Sequence, residues 1–381
     1  MFSKYLEESG QKKFRQDQVN QAIFRDLVSD FSEITTLSEA LRKDLEENQQ
    51  FSVLEKTKHI KSKDTEKILF KTEDGKFVES VLMRHKGRKT VCISCQIGCP
   101  AGCVFCATGK MGIIRNLTDR EIYEQVLYWN RVLKSEYIEE CKNNGTKKEE
   151  IKWNGKNPPH EARVRNIVFM GMGEPMFNYE NVISAIKFLN DDKKFGIGVR
   201  HITLSTVGIA PGIEKLLEEG LLINLAFSLH AATNELRDKL VPMNKTYNLD
   251  VLMPILDKYT KKTGRRIFYE YVVLKGKNDQ PQHAHDLGKL LQHRMAHLNF
   301  IPYNVNPECG DDLITPEEEE MRVMQNILLN EYDVPSTIRM TMGDDVDAAC
   351  GQLANKEDRP ENKGKIISVA EGNFEPACDV I

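Results

Sequence analysis

Near the start of the chain, apolar positions recur at close to a 3.6-residue period. In DQVNQAIFRDLV (17–28) they fall at Val19, Ala22, Ile23, Leu27 and Val28, and this spacing predicts an amphipathic helix. TLSEALRKDLEEN (36–48) predicts a second helix, with Thr36 or Ser38 as its N-cap. The pattern then changes. EKILFKTEDGKFVESVLMRH (66–85) holds two β-rich runs around an Asp-Gly turn, the signature of a hairpin.

From residue 89 onward short β-branched runs alternate with amphipathic stretches. The strand candidates are KTVCISCQ (89–96), RNIVFMGMGEP (165–175), RHITLSTVG (200–208), LINLAFSLH (222–230), RIFYEYVVL (266–274) and LNFIPYN (298–304). Helical patterns such as NVISAIKFLNDD, GIEKLLEEG, LMPILDKYTKK and HAHDLGKLLQH lie between them. Strand–helix alternation implies a parallel sheet, and six such units predict an α/β fold built as a partial, TIM-like (βα)6 barrel. The expected organisation is a small helical domain over 1–60, a β-hairpin extension over 61–88 and the barrel over 89–354. Two stretches break the rhythm. Residues 135–163 are charged, rich in Asn, Gly and Lys, and end in Pro-Pro, which predicts a partly disordered surface insertion. The tail, 355–381, has similar character and predicts no fixed fold.

Composition narrows the setting. With 40% hydrophobic and 29% charged residues, the 381-residue chain has a soluble profile and ample length for a core. No apolar run approaches a membrane span and the start lacks a secretory h-region, so the cytoplasm is the expected compartment. A net charge of −4 does not by itself announce a nucleic-acid binder. The local basic runs RHKGRK (84–89) and KKTGRR (261–266) read on their own as solvated turns.

Chemistry enters with the cysteines. Five of the nine fall between Cys92 and Cys106, and reduced thiols so crowded point to metal or redox work rather than a disulfide framework. Cys99, Cys103 and Cys106 form a CxxxCxxC run in which each thiolate can take one iron of a cubane and leave the fourth open. Zinc, with Cys92 and Cys95 as further ligands, is the alternative. Unusual residues also cluster where each strand ends, in GMGEP, LSTVG, SLH, EYVVL and IPYN. Barrel active sites sit at that rim.

These residues resemble a known family. CxxxCxxC with an aromatic, Phe105, before the last cysteine is similar to the cluster loop of the radical S-adenosylmethionine (SAM) superfamily. CISCQIGCPAGCVFCATG, VFMGMGEPMFN, LSTVGIAP, SLHA, VPMNKTYN and GDDVDAACGQLA together resemble the RlmN family of RNA methyltransferases, from about residue 14 to 354. The resemblance implies a 4Fe–4S cluster on Cys99, Cys103 and Cys106, with SAM on the open iron. It implies SAM contacts from Gly173, Glu174, Ser205, Ser228, Leu229, His230 and Asn304. It further implies that Cys350 carries the S-methyl intermediate, that Cys92 resolves the adduct through a transient disulfide with Cys350, and that Glu79 accepts the proton. The implied substrates are C2 of adenosine in 23S rRNA and in a subset of tRNAs, with two SAM consumed per methyl. A flavodoxin-like electron donor and a monomeric state belong to the same expectation.

With that context the basic run around Arg84, Lys86, Arg88 and Lys89 reads as an RNA platform together with the N-terminal helices. The nearest competitor is the Cfr branch, which methylates adenine C8. Pro175 after Glu174, Glu270 in EYVVL and the paired Asp344 and Asp345 favour the C2 branch. A non-catalytic, zinc-stabilised RNA-binding module is the distant alternative. Two departures stand out: Cys95 where the family has serine, and Cys309 where no functional thiol is expected. Each invites off-pathway oxidation.

Overall fold

The hairpin read from residues 66–85 is the middle of a much longer sheet. In this computed structural model, which describes residues 2–85, 87–146, 153–155, 158–340, 342–343 and 347–353, three short helices come first. They are α1 (Ser3–Glu8), α2 (Lys13–Asn20) and α3 (Glu39–Asn48). Ser38 caps α3, its Oγ accepting from the Leu41 N–H at 3.3 Å, so Ser38 rather than Thr36 takes that role. Val19, Ile23, Phe24, Phe31, Leu41 and Leu45 are buried together. Each such side chain removed from water contributes about 1.5–3 kcal/mol.

Four antiparallel strands follow: β1 (Leu54–Lys61), β2 (Thr65–Thr72), β3 (Phe77–His85) and β4 (Arg88–Cys92). β1 corrects the helical reading of residues 1–60. Its sequence, LEKTKHIK, is almost wholly exposed beyond Leu54 and carries no apolar alternation to betray it. It forms because β2 offers an edge, and its lysines leave the outer edge unattractive to further pairing. The small pair β5 (Gln96–Gly98) and β6 (Ile113–Asn116) brackets α4 (Ala107–Met111).

Parallel strands complete the sheet: β7 (Asn166–Phe169), β8 (Ile202–Thr206), β9 (Asn224–Ser228), β10 (Ile267–Val273), β11 (Ala296–Pro302) and β12 (Ser336–Ile338). The order β1-β2-β3-β4-β7-β8-β9-β10-β11-β12 makes one ten-stranded sheet, parallel from β4 onward. The six expected strands are present, with β12 as a seventh that was not foreseen. The helices between and after these strands are α5 (Asp119–Asn143), α6 (Tyr179–Asn190), α7 (Ala210–Glu219), α8 (Asn234–Leu240), α9 (Leu249–Thr263), α10 (Pro281–Leu291) and α11 (Glu318–Tyr332). Among the described residues no helix is long and apolar enough to cross a membrane.

The 135–163 segment departs from its prediction. Its first part continues α5, which starts at a Thr118–Glu121 capping box; residues buried in α5 stop at Leu133, so the solvated remainder shows little apolar contrast. Its return leg packs back. The Trp153 Nε1–H donates to the Arg25 carbonyl at 3.0 Å, and the Lys134 ammonium sits 5.3 Å from the Trp153 ring centre. Residues 147–152 and 156–157, Lys86, Asp344, Asp345 and the 355–381 tail lie outside the described residues.

Candidate active site

The loops leaving β7 through β11 converge on one cavity. Its walls are Met170, Gly173 and Glu174 after β7, Ser205 and Thr206 of β8, Ser228 and His230 at the end of β9, Glu270 and Val272 of β10, and Ile301 to Tyr303 at the end of β11. Cys99, Cys103, Phe105 and Cys106 close it from one side, and Cys350 with Gly351 from another.

The cysteine loop is held at both ends. Gly98 adopts φ 78°, and a Cβ there would lie 1.9 Å from the Gly112 carbonyl oxygen, so only glycine fits. The Cys99 N–H donates to that same oxygen at 2.8 Å, and the Ala107 N–H reaches the Gly351 carbonyl at 2.9 Å. Phe105 meets His230 edge-on, ring centres 4.6 Å apart. Burial pushes the Cys99 and Cys103 thiols well up, and neighbouring Cys106 adds to the shift in each. Three thiolates could not coexist in this pocket without a compensating positive centre, which is what an iron–sulfur cluster provides. Among the described residues no group of three or more His, Cys, Asp or Glu side chains is arranged as a metal-ion site.

Glu174 is buried and already accepts three hydrogen bonds. Oε1 takes the Met176 N–H at 3.1 Å and the Thr206 hydroxyl at 2.6 Å, and Oε2 takes the Val207 N–H at 2.9 Å. A carboxylate has about four lone-pair sites, so one remains for a cation. Burial raises its pKa to about 7 despite those donors. Its loop is fixed from β5: the Glu174 N–H donates to Gln96 Oε1 at 2.8 Å, and Gly173, at φ 104°, passes so close that a Cβ would lie 2.6 Å from the Gln96 Cβ. His230 sits at φ 58° with Nδ1 accepting from the Val272 N–H at 3.0 Å. Burial, then Arg237, lower its pKa to about 3, so the ring is neutral and its proton lies on Nε2. Ser205 and Ser228 present hydroxyls 3.5 Å apart.

Four anticipated residues stand off the cavity wall. Leu229 is fully buried and contributes only backbone, its N–H donating to the Glu270 carbonyl. Asn304 holds the loop of Cys350 instead, its Nδ2 donating to the Cys350 carbonyl at 3.1 Å. Cys92 ends β4, where burial pushes its thiol far up and nearby Cys350 adds to the effect. Glu79 lies on β3 with Oε1 3.1 Å from Lys67 Nζ, and that ammonium also donates to the Asp347 carbonyl at 2.9 Å. Lys67 thus ties Glu79 to the loop of Cys350. Cys350 itself is on an exposed residue at the cavity, its thiol raised by desolvation and lowered in part by Arg339.

Arg84 corrects the RNA-platform reading. Its guanidinium is engaged by Glu66 and by Glu136 at 2.9 Å, leaving Arg88 as the exposed member of that run among the described residues. Cys95 is buried off the cavity with its thiol pushed well up, which makes it an unreactive packing residue. Cys309 is also buried, in a second cavity with Val104 and Lys110.

The sequence reading missed Arg237. From α8 this buried guanidinium donates to the Val207 carbonyl at 2.6 Å, the Ser228 and Leu229 carbonyls at 3.0 Å, and Asn244 Oδ1 at 2.8 Å. It locks the ends of β8 and β9 together. The only hint was VPMNKTYN, which contains its partner Asn244.

Comparison with known proteins follows the same lines. Residues 1–50 match the ribosomal RNA large subunit methyltransferase N-terminal domain, and residues 147–287 match the radical SAM superfamily. The dual-specificity RNA methyltransferase RlmN 1 of Myxococcus xanthus is 42% identical over 342 residues, covering 89% of this chain and 88% of that protein. The chain belongs to the RlmN family. A probable dual-specificity RNA methyltransferase RlmN of Staphylococcus carnosus is 40% identical, covering 94% of this chain and 92% of its own. The crystal structure of a radical SAM methyltransferase from Sphaerobacter thermophilus matches with a TM-score of 0.80 at 35% identity, over 92% of this chain and 95% of that one. RlmN family membership agrees with a partial barrel whose rim carries CxxxCxxC.

Proposed function

We propose that this chain is a radical SAM RNA methyltransferase that places a methyl group on adenine C2, in 23S rRNA at the peptidyl-transferase centre and in tRNAs at the adenosine 3′ of the anticodon. One observation carries the reading: Cys99, Cys103, Cys106, Glu174 and Cys350 line a single cavity at the strand ends. In this reading the three loop cysteines hold a 4Fe–4S cluster. When bound, the cluster and SAM supply both a methyl group and a carbon-centred radical, the reactivity that an electron-poor ring carbon requires.

The chain's own groups do the rest. Glu174 offers its remaining lone pair to the SAM ammonium, and Ser205, Ser228 and neutral His230 supply uncharged partners. Cys350 carries the one-carbon unit as a thioether and joins it to C2, giving a protein–RNA adduct. Glu79 takes the C2 proton. The Cys92 thiolate then attacks the Cys350 sulfur, the disulfide forming as the sulfur–methylene bond breaks, and the carbon left with the electron pair takes up a proton to give the methylated base. That disulfide must be reduced before the next turnover, and a flavodoxin-like donor feeds electrons to the cluster. The target adenine leaves its stack to reach exposed Cys350. RNA substrates of this kind place the protein in the cytoplasm. The test is mass spectrometry on two variants incubated with RNA and SAM. Cys350→Ala forms no methylated product, and Cys92→Ala accumulates a covalent protein–RNA adduct. Product from the first, or no adduct from the second, contradicts these roles.

A further inference from the structure

Glu270 is a buried carboxylate in the cavity that the proposed chemistry leaves unused. Its Oε1 accepts from Asn299 Nδ2 at 3.0 Å and faces Arg339 at 3.4 Å. Its Oε2 is buried and has no hydrogen-bond partner among the described residues. The side chain is 4% exposed, and the residue lines the cavity. A buried carboxylate oxygen without a donor is costly, so a ligand that brings one is strongly favoured here.

Position selects the donor. In the sheet register Glu270 stands opposite Ser228 on β9 and opposite Asn299 on β11. It is therefore level with the Ser205–Ser228 hydroxyl pair on one side, while on the other Arg339 faces it and the Cys350 thiol lies close enough to feel its charge. Glu174, the acceptor for the ammonium, follows β7, three strand positions away. Ser228 at the end of β9 and Glu270 on β10 line the same cavity as Glu174. Vicinal hydroxyls are neutral donors that complete a carboxylate without demanding a new counter-charge.

We propose that Glu270 accepts a hydrogen bond from the ribose diol of bound SAM. The inference rests on the reading of this cavity as a SAM site. The full chain, anaerobically reconstituted, is compared with Glu270→Gln by equilibrium binding of three probes: SAM, its 2′,3′-dideoxy analogue and methionine. Hydrogen bonds to charged groups lead to an expected loss of about tenfold or more in SAM affinity for the variant. The dideoxy analogue binds both proteins alike, and methionine, which lacks the sugar, also binds both alike and reports an intact fold. Equal SAM affinity in the two proteins overturns the proposal, as does an equal loss with the dideoxy analogue. An unchanged SAM affinity with a raised KM for RNA assigns Glu270 to the base and also overturns it. Should the variant lose methionine binding through misfolding, the unaltered protein decides: the dideoxy analogue must bind it at least about tenfold more weakly than SAM, and equal binding overturns the proposal. Failure of the unaltered protein to bind SAM at all sinks the underlying reading instead.

Discussion

Protonation of Glu174 controls how well the cavity accepts a cation. In the unliganded fold its pKa is about 7 because burial outweighs three donated hydrogen bonds. From an unfolded value of 4.5 the shift is upward, so the folded state favours the neutral acid. The stability this confers is complete below pH 4.5 and is lost as pH rises through 7, on the order of 3 kcal/mol in total. An ammonium needs the ionised form. Between pH 6 and 8 the ionised fraction climbs from about one tenth to about nine tenths, so SAM affinity rises roughly tenfold over that interval. Equilibrium binding of SAM to reconstituted protein from pH 5.5 to 9, beside Glu174→Gln, isolates the effect. Any pH dependence of SAM or of the cluster is common to both proteins, and their affinity ratio carries the tenfold change. A ratio that is flat between pH 6 and 8, or that moves the other way, refutes the argument that Glu174 is the cation's acceptor.

Other consequences follow from single contacts. Arg237→Met leaves the Val207, Ser228 and Leu229 carbonyls and Asn244 Oδ1 without their donor. The expected loss is on the order of 4 kcal/mol, a fall in Tm of about 5 °C by scanning calorimetry. Gly98→Ala forces a Cβ against the Gly112 carbonyl, so the cysteine loop cannot close. Iron analysis after reconstitution then finds most of the metal missing. Lys67→Met releases Glu79 and the Asp347 carbonyl from their shared ammonium. SAM cleavage without RNA is unaffected, while RNA methylation slows by roughly a hundredfold, the penalty typical of a misplaced catalytic group. An equal loss in both assays indicates instead a general structural defect.

Much of the barrel was legible because its strands are mostly apolar: INLAF, IFYEYVV and LNFI each carry a single strongly polar residue, Asn224, Glu270 and Asn299, and are bounded by helix signals. The rim residues were legible for the opposite reason, being polar groups in the same relative place on successive strands. Contacts that join distant segments were not. Lys67 looks like any lysine on a half-exposed strand until the Cys350 loop folds over it, and Gln96 gains its meaning only when Gly173 passes against it. β1 went unread because an edge strand dominated by lysine and glutamate has no period-two pattern. The first part of 135–163 was read as an insertion because α5 continues past Leu133 with no fully buried residue to mark it. Arg84, read as free to meet RNA, is claimed by Glu66 from the adjacent strand and Glu136 from α5, partners that only folding brings near.

The most direct measurement is nucleoside mass spectrometry of a 23S rRNA fragment incubated with the reconstituted protein, SAM and a strong reductant under anaerobic conditions. The account predicts 2-methyladenosine. Formation of 8-methyladenosine, or an unmodified fragment from protein that carries its cluster and cleaves SAM, contradicts it.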